Sequence, residues 1–218
     1  MPIAIRQFHD IPEAFSPLPG LAVRRELSAS VMAALQGRSE QEMQRRFDAG
    51  HRSYVACRDG ATAAWGWVAT SSAEIGEVGS AFLIPPGERY LWNFVTLPAH
   101  RGLGIYPRLL DAVVRAELPE AERFWIVYAP ENHASGRGIQ KAGFRTVAEL
   151  SFDSVGRAAV SGITADAAAI ASRILGVAQS ADQLAQCWRC ARAGRGSMSC
   201  PPGECRCDYQ LPASGCAA

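Results

Sequence analysis

The hydrophobic pattern between residues 90 and 153 changes period repeatedly, and this alternation is the feature that most restricts the fold. Apolar residues recur with strand spacing and helix spacing in turn, which predicts strand, helix, strand, helix and strand at 90–96, 107–118, 124–129, 133–142 and 144–153. Pro107 suits the first turn of its helix, and Gly143 suits the residue just after a helix C-terminus. Such alternation is typical of an α/β protein with a mixed sheet.

The segment before this alternation is predicted to supply two helices and further strands. Residues 21–50 carry apolar residues at three- and four-residue steps, which favours a helix that ends at Gly37. Ser39, with Glu42 three residues later, predicts the start of a second helix. Strands are predicted at 53–57 and 63–69, joined by an Asp59-Gly60 turn, and again at 74–84.

The cysteines divide the chain unevenly. Cys57 is the one cysteine in the first 186 residues, and the other six lie in the last 32, at Cys187, Cys190, Cys200, Cys205, Cys207 and Cys216. Residues 159–186 are rich in Ala and are predicted to be helical, with Thr164 and Ser180 as candidate helix N-caps. We therefore expect a main domain over 1–158, a helical extension over 159–186 and a Cys-rich tail over 187–218.

The spacing of the tail cysteines is compatible with tetrahedral thiolate coordination of zinc. The expected ligands are Cys187, Cys190, Cys200 and Cys205, with Cys207 as an alternative. The second pair lacks the usual two-residue spacing, so reduced cysteines, disulfides and an iron–sulfur site stay open as alternatives. The tail also loosely resembles the cysteine-dense end of a modified-peptide precursor.

Charge and hydropathy exclude several classes of partner. The 22 basic residues nearly balance the 21 acidic ones, which argues against a nucleic-acid-binding protein. The sequence has no apolar run of the roughly 18 residues that a membrane helix needs. Residues 1–10 lack the basic start and apolar run of a secretory signal. We expect a cytoplasmic protein, monomeric or homodimeric, without a membrane or nucleic-acid partner.

Residues 96–107 (TLPAHRGLGIYP) connect a predicted strand to a predicted helix and contain two glycines. Gly102 and Gly104 allow the backbone to curl so that successive N–H groups face one concavity, and the following helix adds its N-terminal partial positive charge. This arrangement suits a pyrophosphate group. A turn with two structural glycines is the alternative interpretation.

A second motif, residues 132–144 (NHASGRGIQKAGF), follows a predicted strand and spans a predicted helix. Together the two motifs resemble those of the GNAT acyltransferase superfamily. The matching positions are Arg101 and Gly104, imperfectly Tyr106, and then Asn132, Ser135, Lys141, Gly143 and Phe144. The resemblance covers roughly residues 50–153 and implies a mixed, mostly antiparallel central sheet flanked by helices.

The resemblance also implies a reaction and a cosubstrate. In this family a primary amine attacks the thioester of acetyl-CoA, or of another acyl-CoA, directly in a ternary complex, and a small-molecule amine is the expected acceptor. The end of the strand at Thr96 would pair with the pantetheine arm, and Asn132 and Ser135 would lie near the thioester. The pyrophosphate would rest on the backbone amides of Arg101, Gly102, Leu103, Gly104, Ile105 and Tyr106.

Two positions depart from the family pattern. The position seven residues after Asn132 often holds a Tyr that protonates the leaving thiolate, and Ile139 occupies it here. Because an aliphatic side chain cannot donate a proton, Ser135 and Tyr128 become the candidate catalytic donors. Tyr106 replaces a small residue at the end of the phosphate loop, where an outward-pointing side chain would accommodate its bulk.

The sequence marks the residues that would act on the amine acceptor less clearly than those of the cosubstrate site. Asn93 lies on the strand that leads to Thr96 and is a candidate catalytic group. Glu74, Glu77 and Glu88 are candidate bases acting through water, although exposed sheet-edge charges are the commoner use of such residues. Trp65, Trp67 and Trp92 belong either to the core, which their strand spacing favours, or to an acceptor pocket.

The sequence leaves two other functions open. The aromatic strands could line an apolar channel for a longer acyl group. Alternatively, the protein could be an acyl-CoA-binding scaffold without transfer activity, which Ile139 at the expected acid position favours.

Overall fold

The computed structural model of the chain describes residues 1–10, 15–180, 184–185 and 187–192. In chain order its strands and helices are β1 (Pro2–Gln7), β2 (Leu21–Glu26), α1 (Ala29–Gln36), α2 (Glu40–Asp48), β3 (Arg52–Arg58), β4 (Ala61–Ala69), β5 (Ser72–Ile75), β6 (Ser80–Leu83), β7 (Glu88–Thr96), α3 (Ile105–Glu117), β8 (Arg123–Val127), α4 (His133–Lys141), β9 (Arg145–Phe152), β10 (Ala158–Gly162), α5 (Ala165–Leu175), β11 (Ala178–Gln179) and α6 (Trp188–Arg192). Short 3-10 helices lie at Phe8–Asp10 and Pro98–His100. The chain forms a larger unit, residues 4–72 and 84–146, and a smaller unit, residues 1–3, 73–83 and those from 147 onward.

The larger unit is built on a sheet with the strand order β1-β8-β7-β4-β3-β2. The neighbours from β2 to β7 pair antiparallel, and β7 pairs parallel with β8. The turn between β3 and β4 has φ of 51° at Asp59 and 83° at Gly60, the left-handed pair that a tight hairpin needs. The mixed, mostly antiparallel sheet expected from the sequence is confirmed.

Helices cover both faces of this sheet. Successive strand residues point to opposite faces, so neighbouring residues of one strand pack against different helices. Leu109 and Val113 of α3 share one buried hydrophobic cluster with Ala64 of β4. Trp65, the next residue of β4, belongs to a second cluster together with Met32 of α1. The α1–α2 layer and the α3–α4 layer therefore lie on opposite faces.

Glu117, at the end of α3, is a buried carboxylate with three hydrogen-bond donors. It accepts from Arg52 Nη1 at 2.7 Å, from Arg89 Nε at 2.8 Å and from the Tyr54 hydroxyl at 2.6 Å. Glu120, one turn later, binds the same two arginines, but its side chain is 56% exposed, whereas that of Glu117 is 0% exposed. Glu117 therefore ties α3 to β3 and β7 from inside the protein.

His51 lies on the α1–α2 face, with its ring edge-on to Trp92 at 5.2 Å between centroids. Burial, and secondarily the nearby Arg46 cation, lower the pKa of His51 from 6.5 to about 4. Between these values the unfolded chain binds a proton that the folded chain does not, so the folded state loses stability as the pH falls.

We expect about 1–2 kcal/mol of the free energy of unfolding to be lost between pH 7.5 and pH 5 through His51. Urea titrations at a series of pH values measure this slope. His51→Gln is expected to remove that part of the slope, while the control His133→Gln, at an exposed histidine, leaves it in place. Equal slopes in both variants would contradict the assignment.

The smaller unit contains an antiparallel β9–β10 pair, a parallel β10–β11 pair and a separate two-stranded β5–β6 sheet. Helix α5 begins after Thr164, whose side chain accepts a hydrogen bond from the Ala167 amide at 3.2 Å, as the sequence predicts. The Ser80 hydroxyl of β6 donates to the Leu175 carbonyl at the end of α5, at 2.7 Å.

Two predictions of helix are wrong. Residues 21–26 form strand β2, where half-buried Leu21 and Val23 alternate with exposed residues and pair with β3. Residues 158–162 form strand β10, which pairs with β9, so the Ala-rich helix is confined to Ala165–Leu175. In both segments strand pairing overrides the local pattern. The domain boundaries at 158 and 186 stay a prediction.

In the ranges that the structure describes, no helix has both the length and the apolar character needed to cross a membrane.

Candidate functional site

Strand β7 pairs with β4 to its end but with β8 over only its first half. Its parallel ladder with β8 runs from Glu88, opposite Arg123, to Leu91, opposite Ile126. Its antiparallel ladder with β4 continues to Thr96, opposite Ala64. Residues 92–96 therefore present a strand edge on the side where the β8 ladder has ended, and each of them is half-buried. Such an edge offers backbone groups to an extended ligand.

A β-bulge interrupts the β4–β7 ladder just after the point where the β7–β8 ladder ends. The β4–β7 register shifts between Trp65 and Trp67, and opposite this shift Asn93 has a φ of 51°. Gly66 lies within the shift, and a Cβ there would overlap the ring of Phe94. The bulge re-aims the side chains at the start of the open edge, a common arrangement beside active sites.

The turn from Pro98 to Gly104 carries the chain from the open edge of β7 to α3. Gly102 and Gly104 have φ of 78° and 69°, and no side chain caps the N-terminus of α3. The Arg101 Nε donates to the Thr96 carbonyl at 3.1 Å, and Arg108 Nη1 donates to the Gly104 carbonyl at 3.1 Å. Uncapped helix N–H groups, with the Arg101 guanidinium on the turn and the Arg108 guanidinium bound to its last residue, favour an anion.

Asn132 is the N-cap of α4, and this role accounts for its side chain. Its Oδ1 accepts from the Ser135 amide at 3.0 Å, which satisfies one of the N–H groups at the start of the helix. The Ser135 hydroxyl lies 3.2 Å from the hydroxyl of Tyr106, in the first turn of α3. The first turns of the two helices thus meet through a pair of hydroxyl groups.

Two tyrosine rings fill space that small residues of α4 leave open. A Cβ at Gly138 would overlap the ring of Tyr106, and a Cβ at Gly136 would lie 2.9 Å from the ring of Tyr128. Tyr106 therefore packs inward against α4, and an outward-pointing Tyr106 side chain is wrong. Burial raises the pKa of Tyr106 to about 12, which keeps its hydroxyl protonated at physiological pH. Ile139, by contrast, is 1% exposed and belongs to the core.

Glu88, one of the candidate bases, does not lie at the open edge. Glu88 is buried at the other end of β7, where its carboxylate binds Arg123 at 2.8 Å and the Trp125 indole. Glu74 and Glu77 belong to the smaller unit. Glu88 therefore has a structural role at its place in β7.

Sequence reasoning missed a polar network on the α1–α2 face. Asn93 Nδ2 donates to Gln36 Oε1 at 3.0 Å, and Arg46 Nη1 donates to the same oxygen at 3.2 Å. Arg46 also binds Glu42 at 2.7 Å and lies 4.8 Å from the centre of the Trp92 ring. Gln36 and Arg46 match no motif, so only the folded chain identifies them.

Three of the five candidate zinc ligands lie outside the described residues. Cys187 is described, Cys190 is described only as a backbone position in α6, and Cys200, Cys205 and Cys207 lie outside the described residues. Among the residues that are described, no group of three or more His, Cys, Asp or Glu side chains is placed to hold a metal ion.

Comparison with protein families gives one match to this region. Residues 18–145, more than half of the chain, match the model of an acetyltransferase (GNAT) domain. No curated protein matches the sequence.

Several solved structures are similar to the chain at low identity. A GCN5-related N-acetyltransferase from Kribbella flavida is 16% identical, with a TM-score of 0.43 over 66% of this chain and 53% of that chain. A Drosophila protein is 18% identical, with a TM-score of 0.48 over 66% and 46%. The aminoglycoside N-acetyltransferase AAC(6')-Iy, in complex with a CoA-containing bisubstrate analogue, is 19% identical, with a TM-score of 0.43 over 57% and 90%. The chain spans about half the length of the first two proteins.

Proposed function

Because this chain belongs to the GNAT acetyltransferase family, we propose that it is an acyl-CoA-dependent N-acyltransferase. It transfers an acetyl group from acetyl-CoA to a primary amine of a small molecule by direct attack in a ternary complex. The observation that carries this proposal is the end of the β7–β8 ladder at Leu91, which leaves residues 92–96 as a strand edge leading into the glycine turn that opens α3. An extended thioester arm ending in a pyrophosphate has the matching shape and charge.

The cosubstrate would bind through backbone groups. Its pyrophosphate accepts hydrogen bonds from the amides of residues 101–106, and its pantetheine arm pairs with the edge of β7 near Thr96. Asn132 and Ser135, at the start of α4, would lie near the pantetheine and thioester end. These contacts hold the thioester still, so that the amine meets it in one orientation.

The chemical step needs one bond made, one bond broken and two proton movements. The amine nitrogen bonds to the thioester carbonyl carbon, the carbon–sulfur bond breaks, the amine nitrogen loses a proton to solvent and the thiolate gains one. We assign the last proton to the Tyr106–Ser135 hydroxyl pair, with Tyr128 as a neighbouring donor. Tyr106 thus supplies from α3 the hydroxyl that Ile139 cannot supply from α4.

One observation favours a second function. Ile139 is buried in the core, so the usual acid position of the family has no proton to give. A protein that binds acyl-CoA as a scaffold, without transfer, would tolerate this residue.

Thiol release from acetyl-CoA, measured over a panel of primary amines, tests the transfer. Tyr106→Phe and Ser135→Ala are each expected to lower kcat by about 100-fold or more, because a positioned general acid contributes a factor of roughly 100 to 10,000, while acetyl-CoA binding stays within about threefold. If the hydroxyls act as one relay, the double variant loses no more than the single variants. Acetyl-CoA binding without thiol release on any amine would leave the scaffold function, and unchanged kcat in both variants would contradict the relay.

A further inference from the structure

The backbone of Asn93 is held in a conformation that non-glycine residues seldom adopt. Asn93 has a φ of 51° and lies at the bulge of β7, two residues after the last pair of the β7–β8 ladder. Strain of this kind persists where surrounding contacts fix it, and it concentrates at functional sites. Asn is one of the few non-glycine residues that tolerate this backbone, so the bulge favours an asparagine amide at this point of the strand.

Hydrogen bonding determines which way the Asn93 amide faces. A guanidinium group can only donate, so the Gln36 atom that meets Arg46 must be the oxygen. Consistent with this, the other Gln36 amide atom, Nε2, donates to the Met32 carbonyl at 3.2 Å. The Asn93 atom that meets Gln36 Oε1 must then be a donor, Nδ2, and Asn93 Oδ1 is turned to the opposite side of its amide.

Arg46 is itself held from several sides, so it can impose this orientation. Its guanidinium binds Glu42 at 2.7 Å and lies over the rings of Trp67 and Trp92, at 5.3 and 4.8 Å from their centres. Its side chain is only 15% exposed. Packed aromatic rings and a carboxylate therefore fix the first member of a chain of hydrogen bonds that ends at Asn93.

We infer that Asn93 Oδ1 accepts a hydrogen bond from the incoming amine, and that Gln36, held by Arg46, is a positioning residue for Asn93. This inference rests on the proposed function. An amide oxygen suits the task because it holds an N–H group without taking its proton, which leaves the nitrogen lone pair for attack on the thioester. Asn93 lies at the start of the open β7 edge, the strand segment with which the thioester arm is proposed to pair.

Amine binding to the protein–CoA complex tests the inference without requiring turnover. Titrating glycinamide and propylamine into the labelled complex, followed by NMR, gives a Kd for each amine. Asn93→Ala is expected to raise these Kd values about tenfold, the effect of one lost hydrogen bond, and to leave CoA affinity unchanged. Gln36→Leu is expected to raise them severalfold, because the Asn93 amide is then free to turn.

Two further variants separate orientation from general damage. Gln36→Glu keeps an acceptor oxygen for both Asn93 and Arg46, so it is expected to recover most of the affinity that Gln36→Leu loses. Gln44→Leu makes the same change at an exposed position of α2 and is expected to have no effect. Unchanged amine Kd in Asn93→Ala, absence of measurable amine binding to the wild-type complex, or equal losses in the two Gln36 variants would overturn the inference. Amine binding that follows this pattern without acetyl transfer would instead contradict the proposed function alone.

Discussion

Gly104→Asp is expected to weaken coenzyme A binding about 100-fold relative to Gly104→Asn. A carboxylate about 5 Å from a phosphate charge costs roughly 3 kcal/mol at an effective dielectric constant of about 20, which corresponds to this loss of affinity. A Cβ at Gly104 would also lie 2.8 Å from Arg108 Nη1, so pairing with the new carboxylate would withdraw that cation from the anion. Isothermal titration calorimetry with CoA measures the difference.

The Asn variant is the matched control for this experiment. Gly104 has a φ of 69°, and Asn and Asp are the non-glycine residues that best tolerate such a backbone, so both variants carry similar strain. They differ mainly in charge. A folded Gly104→Asp variant that binds CoA as tightly as Gly104→Asn would place the pyrophosphate elsewhere.

Glu117→Ala is expected to lower the free energy of unfolding by about 3 kcal/mol, because it removes the buried carboxylate of the network and leaves the exposed Glu120 as the carboxylate partner of Arg52 and Arg89. Arg89, which is 5% exposed, would lose its buried carboxylate and keep only the exposed Glu120, and Tyr54 would lose its acceptor. Urea unfolding followed by circular dichroism measures the change. Activity is not needed to read the result.

Glu120→Ala provides the comparison, because Glu120 binds Arg52 and Arg89 from an exposed position. Exposed ion pairs are worth about 1 kcal/mol or less. We therefore expect a small effect there, although both glutamates engage the same two arginines. Similar losses in the two variants would mean that burial does not govern the strength of this network.

Elements with strong local signals were predictable from the sequence. The Asp59-Gly60 turn and the Ser39 and Thr164 N-caps are confirmed, because turn and cap chemistry is decided by neighbouring residues. Strands β2 and β10 were not predictable in this way. Their residues also suit a helix, and pairing with β3 and β9, which local sequence does not record, decides the outcome.

In the candidate site, too, the features decided by neighbouring residues were predictable and those decided by distant contacts were not. The turn at Gly104 and the cap at Asn132 are visible as motifs, since each is a short stretch of chain. The partners of Asn93 are not visible, because Gln36 lies 57 positions earlier in the sequence and only the packing of α1 against the sheet brings them together. The contact between Tyr106 and Ser135 depends likewise on two helices meeting.

The large ring of Tyr106 occupies the space beside Gly138 that a Cβ would need, and this fit restricts the order in which the two residues arose. The family pattern places a small residue at 106, and a large ring there fits only if position 138 has no Cβ. Acquiring the tyrosine first would create a clash, and acquiring the glycine first would open a void and weaken α4, so either single step is disfavoured. The two positions should therefore vary together among related sequences, and a search that scores them as a pair would recover members of the family that position-by-position matching ranks poorly.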